Sequence, residues 1–350
     1  MATIYNALGV FYSLKGDSRL GRKYQEDSFA EAEQVQDIEK LAPVAYGLFT
    51  SYIVEGEYKK IVEIAPKVIA LLEKTRREIE FFGLPQNVYA LLQGYYGNGL
   101  AALGGFEEGE RWCSRALSFA HRVNHLFSIG MAEFLYANLF IYKGDGEKVV
   151  EHSQSSIAHF EKSQGLIFLP AAWSYLGFGY LLMGNLDMAL DRARNGLKMQ
   201  LDIGLQILLS LSHYFLSLVH FDLGDLNQGK THAEQAVKLA QANNGRQFEG
   251  LSWMQMGRIV GKMERFQIDQ AEQYIRQGMK ILDELKIRPD YARGYLFLGE
   301  LWADAGEREK ALENLRRAEG MLQEMEMDYW LARTREVLGR LSGHPPAFER

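Results

Sequence analysis

Cysteine, proline and long apolar runs are scarce in this chain of 350 residues, and each shortage excludes a class of protein. The single cysteine, Cys113, rules out an internal disulfide framework and a zinc site built from cysteines. It falls at a small-residue position of a helical pattern, which predicts a buried, inert thiol. Only 7 prolines stand against 34 glycines, a balance that suits many helices joined by tight turns.

The chain also lacks the segments that direct a protein to membranes, nucleic acids or secretion. No apolar run approaches the length of a membrane span. The net charge is −6, and no dense run of lysine and arginine indicates a phosphate-binding surface. The amino terminus lacks the basic and apolar regions of a secretory signal. We therefore expect a cytoplasmic protein that binds neither membrane nor nucleic acid.

A regularly spaced turn signal is present in place of these features. Glycines that separate two apolar helical patterns occur at Gly16, Gly56, Gly104, Gly144, Gly184, Gly224 and Gly306. The step is 40 residues from Gly16 to Gly56, and again from Gly144 to Gly184 to Gly224. The 82 residues between Gly224 and Gly306 leave room for two units, with the missing turn near Glu264. Spacing of this kind predicts a repeat protein.

A second glycine pattern lies seven residues before the turns. It places a large apolar residue before a glycine at Leu8-Gly9, Tyr96-Gly97, Leu176-Gly177, Met256-Gly257 and Leu298-Gly299. Glycine inside a helix costs about 1 kcal/mol relative to alanine, so its recurrence needs a packing reason. We predict that the small residue lets the two helices of one unit approach closely, so that a leucine at Gly177 would force the helices of unit five apart.

These patterns predict an all-α chain of eight helical pairs followed by a final helix near Asp328 to Leu341. We expect one repeat domain over residues 1–343 and a short tail over 344–350. Unit two is longer than the others, and its second helix is predicted to continue through Thr75-Arg76-Arg77-Glu78. The chain opens on a first helix without a polar cap, which would favour self-association through the end units.

The pattern resembles the tetratricopeptide repeat (TPR) family over nearly the whole chain. The residues that carry the resemblance are the leucine-glycine pair, an aromatic residue three or four positions later, the turn glycine and the small residues of each second helix. The period of 40 residues exceeds the 34 that is usual in this family. The resemblance implies a right-handed α-α superhelix, and long repeats of this type are similar to the helical arms of multidomain bacterial signalling regulators.

The same resemblance implies a binding groove on the concave side, lined by the first helix of each unit. Carried onto this sequence, the family's groove positions are Tyr46, Thr50, Asn98, Phe134, Asn138, Tyr142, Phe178, Tyr214, Phe221, Asp222, Arg258 and Lys262. Aromatic rings and amides together suit recognition of an extended peptide or a helix. Packing between helices is the alternative for each aromatic residue, whereas Asn98 and Asn138 are expected to be exposed. Arg258 and Lys262 could instead pair with Asp222 across adjacent units.

Motifs for catalysis and cofactor binding are not visible. Gly97-Asn98-Gly99 only loosely resembles a dinucleotide loop, because that loop must follow a strand and open a helix. His121 and His125 have the spacing of a two-histidine metal site but lack a third ligand at motif spacing. We therefore expect no enzyme activity, no cofactor and no metal, and we expect the two histidines to lie at a helix end.

Two functions remain open at this point. The first is an interaction or regulatory arm of a bacterial signalling protein, which would bind a partner protein or peptide in an open groove with Asn98 and Asn138 exposed. The second is a small-ligand sensor, which would show a deep closed pocket around Phe134, Tyr142, Phe178 and Tyr214. Plain scaffolding with self-association through the end units is a third.

Overall fold

The computed structural model describes residues 2–15, 17–263 and 267–343, and within these ranges every regular element is an α-helix. The helices are Ala2–Leu14 (α1), Ser18–Val35 (α2), Ile38–Glu55 (α3), Tyr58–Thr75 (α4), Val88–Ala102 (α5), Phe106–Val123 (α6), Leu126–Lys143 (α7), Gly146–Ser163 (α8), Leu169–Leu182 (α9), Leu186–Asp202 (α10), Leu209–Asp222 (α11), Leu226–Ala242 (α12), Arg246–Met263 (α13), Ile268–Glu284 (α14), Arg288–Asp304 (α15), Arg308–Glu324 (α16) and Asp328–Leu341 (α17). The predicted superhelix of eight pairs and a final helix is confirmed.

The turn glycines end the first helix of most pairs. Positive φ angles occur at Gly56, Gly104, Gly144, Gly184, Gly224 and Gly306, the left-handed conformation that glycine adopts at little cost. In some pairs the second helix then begins behind a side-chain cap: Asp145 accepts a hydrogen bond from the backbone N–H of Lys148, and Asn185 accepts one from Met188. Gly16 and the turn near Glu264 lie outside the described residues, as do the tail residues 344–350.

The inner glycines lie where two helices of one unit approach, as predicted. A Cβ added at Gly177 would lie 2.8 Å from the backbone nitrogen of Ala193 and 2.9 Å from the carbonyl oxygen of Ala189. At Gly257 the added Cβ would lie 2.5 Å from the carbonyl oxygen of Ala271. All three distances are shorter than a carbon atom tolerates, so a side chain at these positions would push the helices apart.

The predicted extension of the second helix in unit two is wrong. Helix α4 ends at Thr75, because Arg76 adopts the left-handed conformation and its N–H bonds back to Leu72 and Glu73. The additional residues form a loop that leads to α5. Asn87 holds this loop, since its side-chain amide donates to the carbonyl of Glu78 while its side-chain oxygen accepts from the backbone N–H of Ala90 in the first turn of α5.

The superhelix closes on itself, because turns of the early units contact helices of the late units. An added Cβ at Gly56 would lie 3.0 Å from Leu285 and 3.1 Å from Gln247, which are 229 and 191 residues further along the chain. The turn at Gly144 similarly meets the indole of Trp330 on α17. The first helices therefore enclose a lumen. No helix among the described residues has the length and apolar character to cross a membrane.

Candidate functional site

The lumen is lined by the first helices of units two to eight. It holds a cavity of about 60 Å³, enclosed by residues that include Phe134, Tyr142, Phe178 and Tyr214. These four side chains are 2–5% exposed. A small cavity therefore lies at the four residues around which a deep closed pocket would favour ligand sensing.

Two pairs of stacked aromatic rings form part of the wall. Phe134 and Tyr175 stack with ring centroids 4.5 Å apart, and Phe178 and Phe215 stack at 4.7 Å. Both pairs join neighbouring units, α7 with α9 and α9 with α11. Stacking of this kind contributes about 0.5–1.5 kcal/mol beyond the burial of area, so the same rings that line the cavity also hold adjacent units together.

Three side chains from distant units close the lumen, and we call Tyr58, Tyr142 and Gln247 the interlock. The Tyr58 hydroxyl donates to Oε1 of Gln247 at 3.0 Å, Nε2 of Gln247 donates to the Tyr142 hydroxyl at 2.7 Å, and Tyr142 donates to Tyr58 at 2.8 Å. Every donor in this ring meets an acceptor. Burial raises the pKa of both phenols well above its usual range, so the hydroxyls stay protonated and able to donate.

A buried ion pair continues the interlock towards the late units. Arg293 Nη1 lies 2.8 Å from Asp290 Oδ1, and both side chains are only 2–3% exposed. Gln247 also donates to Asp290 at 3.2 Å, and Arg293 donates to the Tyr214 hydroxyl at 3.2 Å. Burial raises the pKa of Asp290, while Arg293 opposes that shift. We assign the carboxylate form at neutral pH, because the guanidinium and the amide both point their N–H groups at it.

The predicted exposure of Asn98 is wrong, and Asn138 is only half-exposed. Asn98 is fully buried, and its amide donates to the carbonyls of Leu135 at 2.7 Å and Gly94 at 3.1 Å. Asn138 donates to Oδ1 of Asn98 at 2.5 Å and accepts from the Tyr175 hydroxyl at 3.0 Å. The physical reason is that this groove position faces the first helix of the next unit, so the amides connect α5, α7 and α9.

The predicted residues of unit two lie at the edge of the lumen. Tyr46 and Thr50 are half-buried, and the Thr50 hydroxyl contacts the Tyr46 carbonyl and the Tyr95 hydroxyl at 3.1 Å each. Thr50 itself lines the cavity. This end of the wall therefore offers polar groups that already have partners within the protein.

The predicted residues of units six and seven form a separate polar corner. Arg258 is 7% exposed and lies between the rings of Phe221 and Phe297, 4.3 and 4.2 Å from their centroids. Burial lowers its pKa to about 10. The suggested pairing with Asp222 is wrong. Arg258 lies 4.0 Å from Glu300, Lys262 pairs with Asp304, and Asp222 is exposed. Each cation therefore reaches forward to the following unit, since first helices of neighbouring units lie side by side.

Among the lining residues that were missed from the sequence, four form the polar network: Tyr58, Gln247, Asp290 and Arg293. Asp290 and Arg293 lie three residues apart on α15, a spacing at which opposite charges can pair. Their burial was not readable, because Arg288, Glu300 and Asp304 lie on the same helix. Tyr58 and Gln247 carried no signal. Each lies in the first turn of its helix, and their contact depends on how the superhelix closes.

The histidine pair and the glycine-rich stretch have structural roles. His125 precedes α7, and its ring nitrogen accepts a hydrogen bond from the Ser128 backbone, while His121 lies in the last turn of α6. Within the described ranges no group of three or more His, Cys, Asp or Glu residues could hold a metal ion. Gly97 lies inside α5, where it packs on Cys113.

Several solved structures share this fold. A Rap protein complexed with Competence and Sporulation Factor matches with a TM-score of 0.65 and 14% identity, over 91% of this chain and 87% of that one. A STAND ATPase with a TPR sensor from Pyrococcus horikoshii matches with a TM-score of 0.52 and 14% identity, over 94% of this chain and 50% of that one. The Cut9–Hcn1 complex matches with a TM-score of 0.56 and 15% identity, over 90% of this chain and 56% of that one.

Sequence comparison gives the family directly. No curated protein matches the sequence significantly. The family model described as the MalT-like TPR region matches residues 130–347, which is well over half of the chain. This match and the paired helices agree with the TPR resemblance that the turn glycines indicated. The chain belongs to the MalT-like TPR region family.

Proposed function

We propose that this chain is a regulatory interaction scaffold whose lumen takes up a compact, mostly apolar effector. One observation carries the proposal: Phe134, Tyr142, Phe178 and Tyr214 enclose a cavity, where an open groove would leave them exposed. Fold relatives with TPR architecture support an interaction role. Membership of a bacterial signalling protein, a cytoplasmic location and the absence of catalysis stay predictions.

The chemistry of the wall defines the effector. Most lining side chains are aromatic or aliphatic, and Thr50, Asn138 and Gln247 add a few groups that can form hydrogen bonds. Asp290 and Arg293 neutralise each other, so the lumen offers no net charge to a ligand. An uncharged molecule with a ring or branched body and one or two polar groups fits this wall best.

The size of the cavity indicates how an effector would act. About 60 Å³ holds only a few water molecules, whereas ligand pockets usually measure about 300–1,000 Å³. Uptake therefore requires part of the wall to move. Gln247 lies at the junction between early and late units, so we expect the effector to displace it from Tyr58 and Tyr142 and thereby change how the two parts of the superhelix meet.

The second candidate for the occupant of the lumen is an extended peptide, which would bind after the interlock has opened. In its favour, the Rap protein of this fold was solved in complex with Competence and Sporulation Factor. On this view the predicted positions Asn138, Phe178 and Tyr214 contact the peptide only after Gln247 has moved away. The two candidates use the same wall but differ in the size of the occupant.

Mass spectrometry of retained compounds tests the proposal. The chain is incubated with the low-molecular-weight filtrate of a bacterial lysate, washed and denatured. Leu211→Trp fills the lumen, because Leu211 is 3% exposed and lines the cavity. Leu201→Trp, at a position 56% exposed, is the matched control. We expect a small compound on the wild type and the control that is lost from Leu211→Trp.

Other outcomes separate the candidates. Retention that is equal in both tryptophan variants would place the site elsewhere and contradict the proposal. A peptide retained by Gln247→Ala, with no small compound on the wild type, would favour the second candidate.

A further inference from the structure

The guanidinium of Arg258 is a buried cation with two of its nitrogen atoms unpaired. Its side chain is 5% exposed. Nη1 donates to Oε1 of Gln255 at 2.9 Å, whereas Nε and Nη2 have no hydrogen-bond partner among the described residues. Burial lowers the pKa of Arg258 only to about 10, so the group is charged at neutral pH. A buried cation without acceptors is costly to keep, so a ligand that supplies them binds with a gain in free energy.

Both faces of this guanidinium are covered, and one edge is open. Phe221 and Phe297 lie above and below it, 4.3 and 4.2 Å from their ring centroids. Gln255 occupies the Nη1 edge and is itself held by the carbonyl of Ser217 at 3.4 Å. Nε and Nη2 lie side by side on the remaining edge, where their N–H groups form a parallel fork. Such a fork matches the two oxygens of one carboxylate in the plane of the guanidinium.

The nearest carboxylates of the chain do not fill the fork. Oε1 of Glu300 accepts from Nε of Arg333 at 2.6 Å. Oε2 of Glu300 stays 4.0 Å from Nη2 of Arg258, which is beyond hydrogen-bond distance. Asp222 acts on Arg258 through its charge, but its side chain is exposed and forms no ion pair with it. The two unpaired N–H groups are therefore available to an acceptor from outside the chain.

A small cavity lies at the fork, between α11, α13 and α15. It measures about 20 Å³, which is room for one water-sized atom. Lys262 and Asp304 line it and pair with each other, and their side chains are 48% and 49% exposed, so this pair lies at the mouth. The cavity therefore takes the end of a molecule that lies across the opening. No residue lines both this cavity and the lumen.

We propose that Arg258 binds the carboxylate of a ligand through Nε and Nη2. A carboxylate carries a single negative charge, whereas a phosphate dianion would meet stronger repulsion from Glu300 and Asp304 beside the fork. The carboxylate belongs either to a small organic acid or to the end of a peptide. This site stands independently of the effector proposal, because the two cavities share no residue.

Nuclear magnetic resonance of the arginine Nε–H groups, in protein labelled with ¹⁵N-arginine, tests the fork directly. Arg258→Lys identifies the Arg258 signal by its disappearance. Sodium acetate, added at constant ionic strength, should shift this signal saturably, and inorganic phosphate should need about ten times the concentration. A signal that acetate leaves unchanged, or a shift that sodium chloride reproduces, overturns the proposal.

Three variants separate binding at the fork from general effects of the anion, because a bound ligand raises the melting temperature. Arg258→Met removes the fork and leaves no unpaired charge between the rings, so we expect it to fold. Arg258→Lys keeps the charge without the fork. Arg276→Met, at an arginine on α14 that is 56% exposed, is the matched control.

Acetate should raise the melting temperature of the wild type and of Arg276→Met to the same extent. The rise should be smaller in Arg258→Lys and absent in Arg258→Met. Circular dichroism checks that each variant keeps its helix content. An equal rise in all four proteins would mean that the anion acts elsewhere, and it would contradict the proposal.

Two short peptides identify the source of the carboxylate in the same titration. The probes are N-acetylated phenylalanyl-alanine with a free carboxyl group and the same dipeptide as its amide. Tighter binding of the free acid than of acetate assigns the site to the end of a peptide, and equal or weaker binding assigns it to a small acid. Binding of the amide as tightly as the free acid would overturn carboxylate recognition altogether.

Discussion

The hydroxyl of Tyr58 donates a hydrogen bond to Gln247, 189 residues further along the chain, at 3.0 Å. In an ordinary solenoid each unit contacts only its neighbours, so stability is a sum of local terms. Here unit two contacts unit seven directly. The buried polar groups of the interlock depend on one another for their hydrogen bonds, and this makes closure of the superhelix cooperative.

Removing one member of the interlock should destabilise the protein, and removing two should cost less than the sum. Tyr58→Phe leaves Gln247 without a donor, and Gln247→Leu leaves two phenols and Asp290 with an unmet partner. An unsatisfied buried polar group costs about 1–3 kcal/mol. Urea unfolding of both single variants and the double variant measures the coupling. Strict additivity would indicate that the three side chains do not act as a unit.

Glycine-to-alanine substitutions should have opposite signs at two helical positions. At Gly177 the new methyl would press on the backbone of Ala193 at 2.8 Å, so we expect a loss of about 1–3 kcal/mol. Gly320 on α16 has no heavy atom within 4 Å of an added Cβ, so Gly320→Ala should stabilise the helix by up to about 1 kcal/mol. Thermal unfolding of the two variants compares them. Equal effects would contradict the proposed packing of unit five.

A histidine cluster should make the stability fall as the pH falls. Nδ1 of His213 lies 2.9 Å from Nδ1 of His232, and His220 stacks on His232 at 5.5 Å. The pKa of His232 is lowered to about 4. Burial is the largest cause, and the neighbouring His213 and His220 lower it further. Asp225 faces His220, and Arg194 adds to the lowering.

The sign follows from the unfolded chain, whose histidines have a pKa of about 6.5. Between pH 6.5 and pH 4 the unfolded state binds more protons than the folded state does. The stability that the neutral cluster contributes is therefore complete above about pH 7 and is lost progressively below it. The melting temperature should therefore drop between pH 7 and pH 5. His232→Gln should flatten the profile, whereas His121→Gln, outside the cluster, should leave its slope unchanged. If His232→Gln left the slope of melting temperature against pH unaltered, the cluster would not be the cause of that slope.

The single thiol should be unreactive in the folded protein. Cys113 is fully buried between α5 and α6, and burial raises the pKa of its thiol well above the ordinary value. A disulfide reagent such as Ellman's should therefore label it slowly under native conditions and quickly in urea. Labelling at the rate of a free thiol in native buffer would show that α5 and α6 separate more easily than this packing allows.

The helices and turns of each unit could be predicted from the sequence, whereas the closure of the superhelix on itself could not. Turn glycines such as Gly144 and inner glycines such as Gly177 act within one unit, where spacing along the chain determines which atoms meet. The position of Asn98 was misjudged because its environment depends on the angle between neighbouring units. Gln247 was missed because its partners depend on the sum of all those angles, and small differences accumulate over several units.

The central claim is that the interlock closes the superhelix around the lumen, and a distance between two spin labels tests it most directly. Lys59 and Lys286 are well exposed. They lie close in the chain to Gly56 and Leu285, and a Cβ added at Gly56 would be 3.0 Å from Leu285. Both lysines are replaced by cysteine in a Cys113→Ala background, labelled and measured by pulsed electron paramagnetic resonance. We predict one short, narrow distance in this protein and a longer, broader one when Gln247→Ala is added. A long, broad distance that Gln247→Ala leaves unchanged would contradict the account.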